Sequence, residues 1–404
     1  MDYIQEDTFW ATADKYLMST GVPYSPAIIT KAVGTRLYDH KNREILDFTS
    51  GQMSSLLGHS HPEIVDVVRK HVGELDHLLS SMITQPVVAL AERLARFLPA
   101  PLEKSFFLNT GSETTEAALK MAKMYTGKFE IVAFSASYHG AHTGVGIGHV
   151  FGGSWAMIDR QSVGSLAAFI MEPILSTGGI LVPPEGYMKR MVEECRKRGM
   201  LVIMDEAQTG VGRTGKMFAF EHEDIVPDIL CLSKTLGCGL PLGSVSTTAE
   251  IARGLVEAKF LWLTTHLNDP LTAAVGNKVL EIVERDHIAQ RAEERGKQLR
   301  AGLEDLQRKY WCIGDVRGRG LFQAIEIIAD AEIKAPAVEL GELVSSKALE
   351  LGLSCNIVNL PGMGGVFRLA PPVTVTADEI SKGINILDEA FGAVLAQRST
   401  VSPI

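Results

Sequence analysis

A chain of 404 residues with 46% hydrophobic and 22% charged side chains can bury a large core and build about two or three structural units. A net charge of −9 without a basic cluster excludes nucleic acid as the main partner. Five scattered cysteines (Cys195, Cys231, Cys238, Cys312 and Cys355), odd in number and without CxxC spacing, exclude a disulfide or zinc framework and read as packed thiols. The amino-terminal MDYIQEDTFW is acidic and lacks a signal-peptide pattern, and no apolar run is long enough for a bilayer. A cytoplasmic protein without a membrane partner is expected.

In chain order, the first 50 residues read as a helix followed by short strands in ITKAVGTRLYDHKNREILDF, which either packs on the carboxyl-terminal unit or forms an arm. From about Lys104 to Ser246, apolar runs alternate with helical patterns. KSFFLNTG is a strand entering a turn, and SETTEAALKMAKMYTG reads as a helix with a Ser N-cap and a closing Gly. EIVAFS, LAAFIMEPI, MLVIMDE and DILCLSK are further strands, with GYMKRMVEECRKRG an amphipathic helix between two of them. This alternation predicts an α/β fold with a mostly parallel sheet, whose strand ends gather ligands. After about Leu271 comes a long helical tract, AVGNKVLEIVERDHIAQRAEERGKQLRAGLEDLQ, and then a smaller α+β unit. Its strands are DVRGRGLFQAIEII and GVFRLAPPV, and its last helix is ADEISKGINILDEAFGAVLAQ. The expected division is an amino-terminal segment 1–50, a large domain 51–270 and a small domain 271–404.

The stretch VIMDEAQTGVGRTGKM, residues 202–217, imitates two halves of an ATPase. A P-loop needs Ser or Thr after its Lys, with a strand before and a helix after. Met217 occupies that position and no helix start follows it, so the ATPase reading fails. Asp205, at the end of a strand, still needs a role. Twenty-nine residues later, DILCLSKTLGCGLPLG places Lys234 at another strand end in an apolar, glycine-rich setting. Most lysines merely snorkel, but a desolvated one has a lowered pKa and can condense with an aldehyde. LNTGSE adds Thr110, Gly111 and Ser112 at a helix amino end, which suits a phosphate. An ordinary cap has the same appearance. Together the three elements suggest pyridoxal phosphate, with Asp205 keeping the ring nitrogen protonated.

MDEAQTGVGRTG followed by DILCLSKTLGCGLPLG, with NTGSE, SYHG and EPI in order, resembles the class III, ornithine-transaminase-like aminotransferases of fold type I. LDFTSGQMSSLLGHSHPEIV, LDHLLSSM, IDRQSVGSLAAFIMEPILSTGG and LPGMGGVFRLAPP are similar to the 2,2-dialkylglycine decarboxylase branch of that class. The resemblance implies decarboxylation of a dialkylglycine such as 2-aminoisobutyrate coupled to transamination of pyruvate. The alternative is a class III aminotransferase without the decarboxylation. It makes Lys234 the Schiff-base lysine, Asp205 the ring-nitrogen partner, Gln208 a contact to the phenolic oxygen, and Arg368 the anchor of the substrate carboxylate. Gln52 would hold a departing carboxylate, and Thr177 would lie near the substrate. Tyr138, where that branch has Trp, would stack on the ring, and Ala141 replaces a Met beside the pocket. An alkali cation (K⁺ or Na⁺) would be held by Leu78, Ser80, Thr265, Leu267 and Asp269, since oxygen ligands suit hard cations. Thr265 would also reach the cofactor phosphate of a neighbouring subunit, which implies a homodimer or dimer of dimers. The chain between Gly144 and Trp155 is shorter than in that branch by several tens of residues, and omission of a loop is the favoured explanation.

Overall fold

The computed structural model describes residues 5–140, 155–360 and 363–400. Its largest sheet has six strands in the order Leu102–Leu108, Gly243–Thr248, Ile229–Leu232, Leu201–Asp205, Leu166–Met171 and Glu130–Ala133. The last four run parallel to one another, and Gly243–Thr248 is antiparallel to both its neighbours. The expected α/β fold with a mostly parallel sheet is present. Leu166–Met171, Leu201–Asp205 and Ile229–Leu232 are buried along their whole length. Strands covered on both faces read as unbroken apolar runs, which made them visible in the sequence.

Three local features differ from expectation. Strand Gly243–Thr248, GSVSTT, lacks any apolar alternation, yet five of its six residues are buried. Its hydroxyls pair inside the protein: Ser246 Oγ lies 2.7 Å from Ser105 Oγ, and Thr247 Oγ1 donates to Asp228 O at 2.8 Å. The helix Gly111–Thr126 is capped by Thr110 and not by a serine, because an N-cap needs extended backbone and Thr110 has it (φ −130°, ψ 154°). Ser112 already lies in the first turn. The long helical tract is two helices, Pro270–Arg285 and Ile288–Lys309, broken where His287 turns to φ 50°.

A second sheet orders Ile313–Arg319, Phe322–Ile327, Met363–Leu369 and Asn356–Leu360, all antiparallel. A third orders Ile29–Val33, Arg36–Asp39, Glu44–Asp47 and Leu353–Ser354, the last pair parallel. The early strands therefore join the carboxyl-terminal unit, which decides between the two placements open to the first 50 residues. All five cysteines are free, four of them buried and Cys355 partly so. Among the described residues, no helix is long and apolar enough to cross a membrane.

Candidate active site

The main sheet opens at the carboxyl ends of its parallel strands onto a cleft of about 400 Å³. Gln52, Thr110, Gly111, Ser112, Tyr138, Asp205 and Lys234 all line it. Seven residues chosen from distant parts of the sequence thus meet in one place. Lys234 follows strand Ile229–Leu232 and sits at φ 31°, a conformation strained for any residue with a Cβ. Burial pushes its amine pKa down, while the Asp205 and Glu172 carboxylates push it up and Arg368 opposes them. A lowered pKa leaves more of the amine neutral, the form that attacks a carbonyl.

Asp205 ends its strand with a buried carboxylate. One oxygen lies 2.8 Å from Nδ1 of His139, and the other accepts the Ala207 N–H at 3.1 Å. His139 is itself buried, and its carbonyl accepts from the Thr115 hydroxyl at 2.7 Å. Its Nε2 has no partner among the described residues. Sequence reasoning quoted His139 within SYHG but gave it no role. The only signal was a histidine beside an expected ring-stacking residue, and its carboxylate partner lies 66 residues away.

The helix end behaves partly as expected. Thr110 Oγ1 accepts the Glu113 N–H at 3.2 Å, and the Glu113 carboxylate accepts the Asn109 and Thr110 N–H groups at 3.0 Å each. The Thr110 hydroxyl, expected to face a phosphate, is thus engaged in a capping box. The backbone nearby suits glycine. A Cβ on Gly111 would stand 2.8 Å from Ser233 Oγ, and one on Gly140, at φ 106°, would stand 2.3 Å from Ser112 Oγ. Such a cradle lets an anion approach the first N–H groups of the helix closely.

Gln52 is exposed to the cleft on a kinked turn, with Gly51 at φ 64° and Met53 at φ 61°. Asp47 shapes that turn by accepting the Thr49 N–H at 2.8 Å and the Gly51 N–H at 2.9 Å. Arg368 comes from strand Met363–Leu369 of the second sheet. Its Nε and Nη2 both donate to Asn356 Oδ1, at 2.8 and 2.5 Å, and Nη1 donates to Ser176 Oγ at 3.3 Å. Burial pushes its pKa down to about 10, partly offset by Glu172. Gln208 is buried and accepts from Ser176 Oγ at 2.7 Å through Oε1. Thr177, half-buried on the turn after Ser176, does not line the cleft, and neither do Gln208 and Arg368.

Asp269 carries a different arrangement from the one expected. Its two carboxylate oxygens face Nδ1 of His77 at 2.6 Å and Nδ1 of His266 at 2.5 Å. Leu78, Ser80, Thr265 and Leu267 flank this cluster in sequence, and Thr265 is exposed on a turn. Among the described residues, His77, His266 and Asp269 form a group that could itself hold a metal ion, with two nitrogen donors where only oxygens were expected. Ala141 and the short region between Gly144 and Trp155 lie outside the described residues.

An aldehyde, a ring nitrogen and a phosphate each find a matching group in this cleft, and pyridoxal 5′-phosphate presents all three. Fold and site together define a pyridoxal-phosphate enzyme of fold type I. More narrowly, the chain belongs to the class III aminotransferases, whose family model matches residues 17–147 and 155–391. It is 47% identical to an uncharacterised aminotransferase of Schizosaccharomyces pombe, over 95% of this chain and 94% of that protein. It is 32% identical to the acetylornithine aminotransferase of Methanopyrus kandleri, over 94% of this chain and 98% of that one. A transaminase from the marine bacterium Virgibacillus superposes with a TM-score of 0.90 at 25% identity, covering 96% of this chain and 99% of that one. The Toxoplasma gondii ornithine aminotransferase gives 0.85 at 27%, covering 98% and 96%.

Proposed function

We propose that this enzyme moves an amino group from a carboxylate-bearing amino acid to a 2-oxo acid. The observation that carries the reading is Arg368, a mostly buried cation hydrogen-bonded only to neutral acceptors, whose charge acts on the amine of Lys234. A guanidinium has five N–H donors. Those used on Asn356 and Ser176 leave one on each terminal nitrogen, the fork that a carboxylate fills. The names of the relatives, acetylornithine aminotransferase and the 5-aminovalerate aminotransferase of Pseudomonas aeruginosa, are consistent with an amino-acid donor.

When bound, the cofactor supplies an electron sink for the bond broken at the substrate's α-carbon. In this reading Lys234 captures the aldehyde and then carries a proton to and from the α-carbon. Asp205, steadied by His139, keeps the ring nitrogen protonated. Gly111 and Ser112 receive the phosphate, Tyr138 covers the ring, and Gln208 donates to the phenolic oxygen. Thr265 of a second subunit completes the phosphate site in a homodimer or dimer of dimers, and the cytoplasm is the proposed location.

A second reading adds decarboxylation of a 2,2-dialkylglycine, and the placement of Gln52 at the cleft favours it. A donor that holds a carboxylate perpendicular to the cofactor plane selects C–C over C–H cleavage. The relatives named above are aminotransferases, so simple transamination comes first. Supplying amino acids with pyruvate or 2-oxoglutarate and following the new amino acid tests the main reading, and no transfer from any donor overturns it. Carbon dioxide released from 2-aminoisobutyrate with pyruvate would bring the second reading forward. Substitution of K⁺ or Na⁺ by a bulky tetraalkylammonium tests the cation role of Asp269, and unchanged activity removes it.

A further inference from the structure

Ser176 stands between the two parts of the site that would meet different partners. It is fully buried, on the turn that follows strand Leu166–Met171. Its hydroxyl donates to Gln208 Oε1 at 2.7 Å and accepts from Arg368 Nη1 at 3.3 Å. These directions have no alternative under that carboxamide assignment: a hydroxyl has one proton, Arg368 can only donate, and Gln208 Oε1 can only accept. Its N–H donates to Glu172 at 3.1 Å, and the same carboxylate accepts the Tyr138 N–H at 2.8 Å, so the serine is held in place from behind. Arg317 of the second sheet fixes the far side of the turn by donating to Gly179 O at 2.8 Å. With Oε1 committed to Ser176, the amino end of the Gln208 carboxamide is the end left to donate.

We propose that Ser176 is a positioning residue that couples Arg368 to Gln208, so that a carboxylate bound by Arg368 is felt at the cofactor's phenolic oxygen. The proposal rests on the site reading above, in which Arg368 holds the substrate carboxylate and Gln208 contacts the cofactor. The coupling is electrostatic and local. At 3.3 Å the Arg368–Ser176 bond is the longest and weakest of the guanidinium's three. A carboxylate docking on the remaining fork neutralises the cation and competes for the same nitrogen. The serine hydroxyl is then less polarised and donates less strongly to Gln208, which alters how firmly the carboxamide donates in turn. Ser176→Ala removes the link and frees the carboxamide to flip, while Arg368 keeps both N–H groups for a carboxylate.

The test is a pH titration of the visible absorption of the cofactor-loaded protein, with and without saturating acetate, a carboxylate that has no amine to react. In the wild type, acetate is expected to move the midpoint by about one pH unit, the scale of one altered hydrogen bond to a charged group. Ser176→Ala should still bind acetate, measured by its competition with the amino-acid substrate, but should show a smaller shift, losing the part relayed through the hydroxyl and keeping what neutralising Arg368 exerts directly on the Lys234 nitrogen. Gln208→Ala, with Ser176 intact, should lose the relayed part too, which guards against a serine variant that fails to fold. A full shift in a folded Ser176→Ala protein, or in Gln208→Ala, overturns the coupling and leaves the site reading standing. A wild type that gains no visible absorption when pyridoxal phosphate is added, or whose midpoint ignores acetate, overturns the site reading and the coupling with it.

Discussion

Removing the charge of Arg368 should separate substrates by whether they carry a carboxylate. Arg368 donates to Asn356 and Ser176 and retains one N–H on each terminal nitrogen. Two charge-assisted hydrogen bonds to a carboxylate, made where water is excluded, amount to about 3 kcal/mol after desolvation of both partners. Arg368→Leu should therefore lower kcat/KM for an α-amino acid by about 150-fold. A simple amine without a carboxylate makes no use of those donors, and its kcat/KM should change less than about threefold. The assay compares alanine with 1-phenylethylamine as donors to the same 2-oxo acid, at saturating acceptor. Arg368→Lys keeps a charge but loses the fork, and should fall between wild type and leucine on the amino acid only. Equal losses on both donors would refute the reasoning, because they would place Arg368 in support of the fold or the cofactor.

Lys234→Ala should abolish turnover, and borohydride reduction of the loaded wild type should mark Lys234 in a peptide map; a label on another lysine removes the assignment. Asp205→Ala should retain some cofactor through the helix end yet lose activity by at least about 100-fold, and near-normal turnover would make it an ordinary strand-end residue. Gly140→Ala, at φ 106° and with its Cβ 2.3 Å from Ser112 Oγ, should weaken cofactor binding about tenfold or more and also lower the melting temperature measured without cofactor, since that backbone strains any Cβ. Burial raises the Glu172 pKa from 4.5 to about 7. The folded state then binds more protons than the unfolded one between those values, so this contribution is complete below about pH 4.5 and is lost as pH rises through about 7. The cofactor-free protein should lose up to about 3 kcal/mol over that window on this account. Glu172→Gln should flatten the fall in melting temperature with pH, and an unchanged slope would assign it to other groups.

Much of this was legible because the chemistry lies at strand ends. Asp205 closes an unbroken apolar run and Lys234 follows another after Ser233, and a charged residue there has nowhere to go but the carboxyl end of the sheet. The glycines at 111 and 140 mark backbone that a Cβ would obstruct. What escaped was polarity satisfied across the fold. GSVSTT forms a central strand because its hydroxyls find partners on Ser105 and Asp228, and no local pattern announces that. His139, Glu172 and Ser176 gain their meaning from residues 66, 34 and 32 positions away. Asp269 was read with oxygen neighbours, yet the fold turns two histidines onto it, one from 192 residues earlier. Spacing rules carry no information about such meetings.

The same cross-chain polarity ties the segments of Gln52 and Arg368, the two carboxylate anchors proposed above, into one mechanical unit. Gln52 follows Ser50, whose hydroxyl donates to Ala370 O, two residues beyond Arg368. Ala370 N–H returns the tie by donating to Phe48 O at 2.8 Å. Arg213, wholly buried and with its pKa pushed down to about 10 by that burial, donates to Ser50 Oγ at 3.3 Å and to Pro371 O. Among the described residues no carboxylate ion-pairs with this guanidinium, though Asp47 acts on it from farther off, so its hydrogen bonds all go to neutral oxygens that must stay in place. Such an arrangement tolerates little relative movement, since parting the two segments would strand a buried cation. In the proposed reading, a donor at Gln52 and a cation at Arg368 are therefore held at a fixed separation, which a substrate bridging them has to match. Under the second reading proposed above, a single site would then choose which α-carbon bond to align by which of the two anchors a substrate carboxylate occupies.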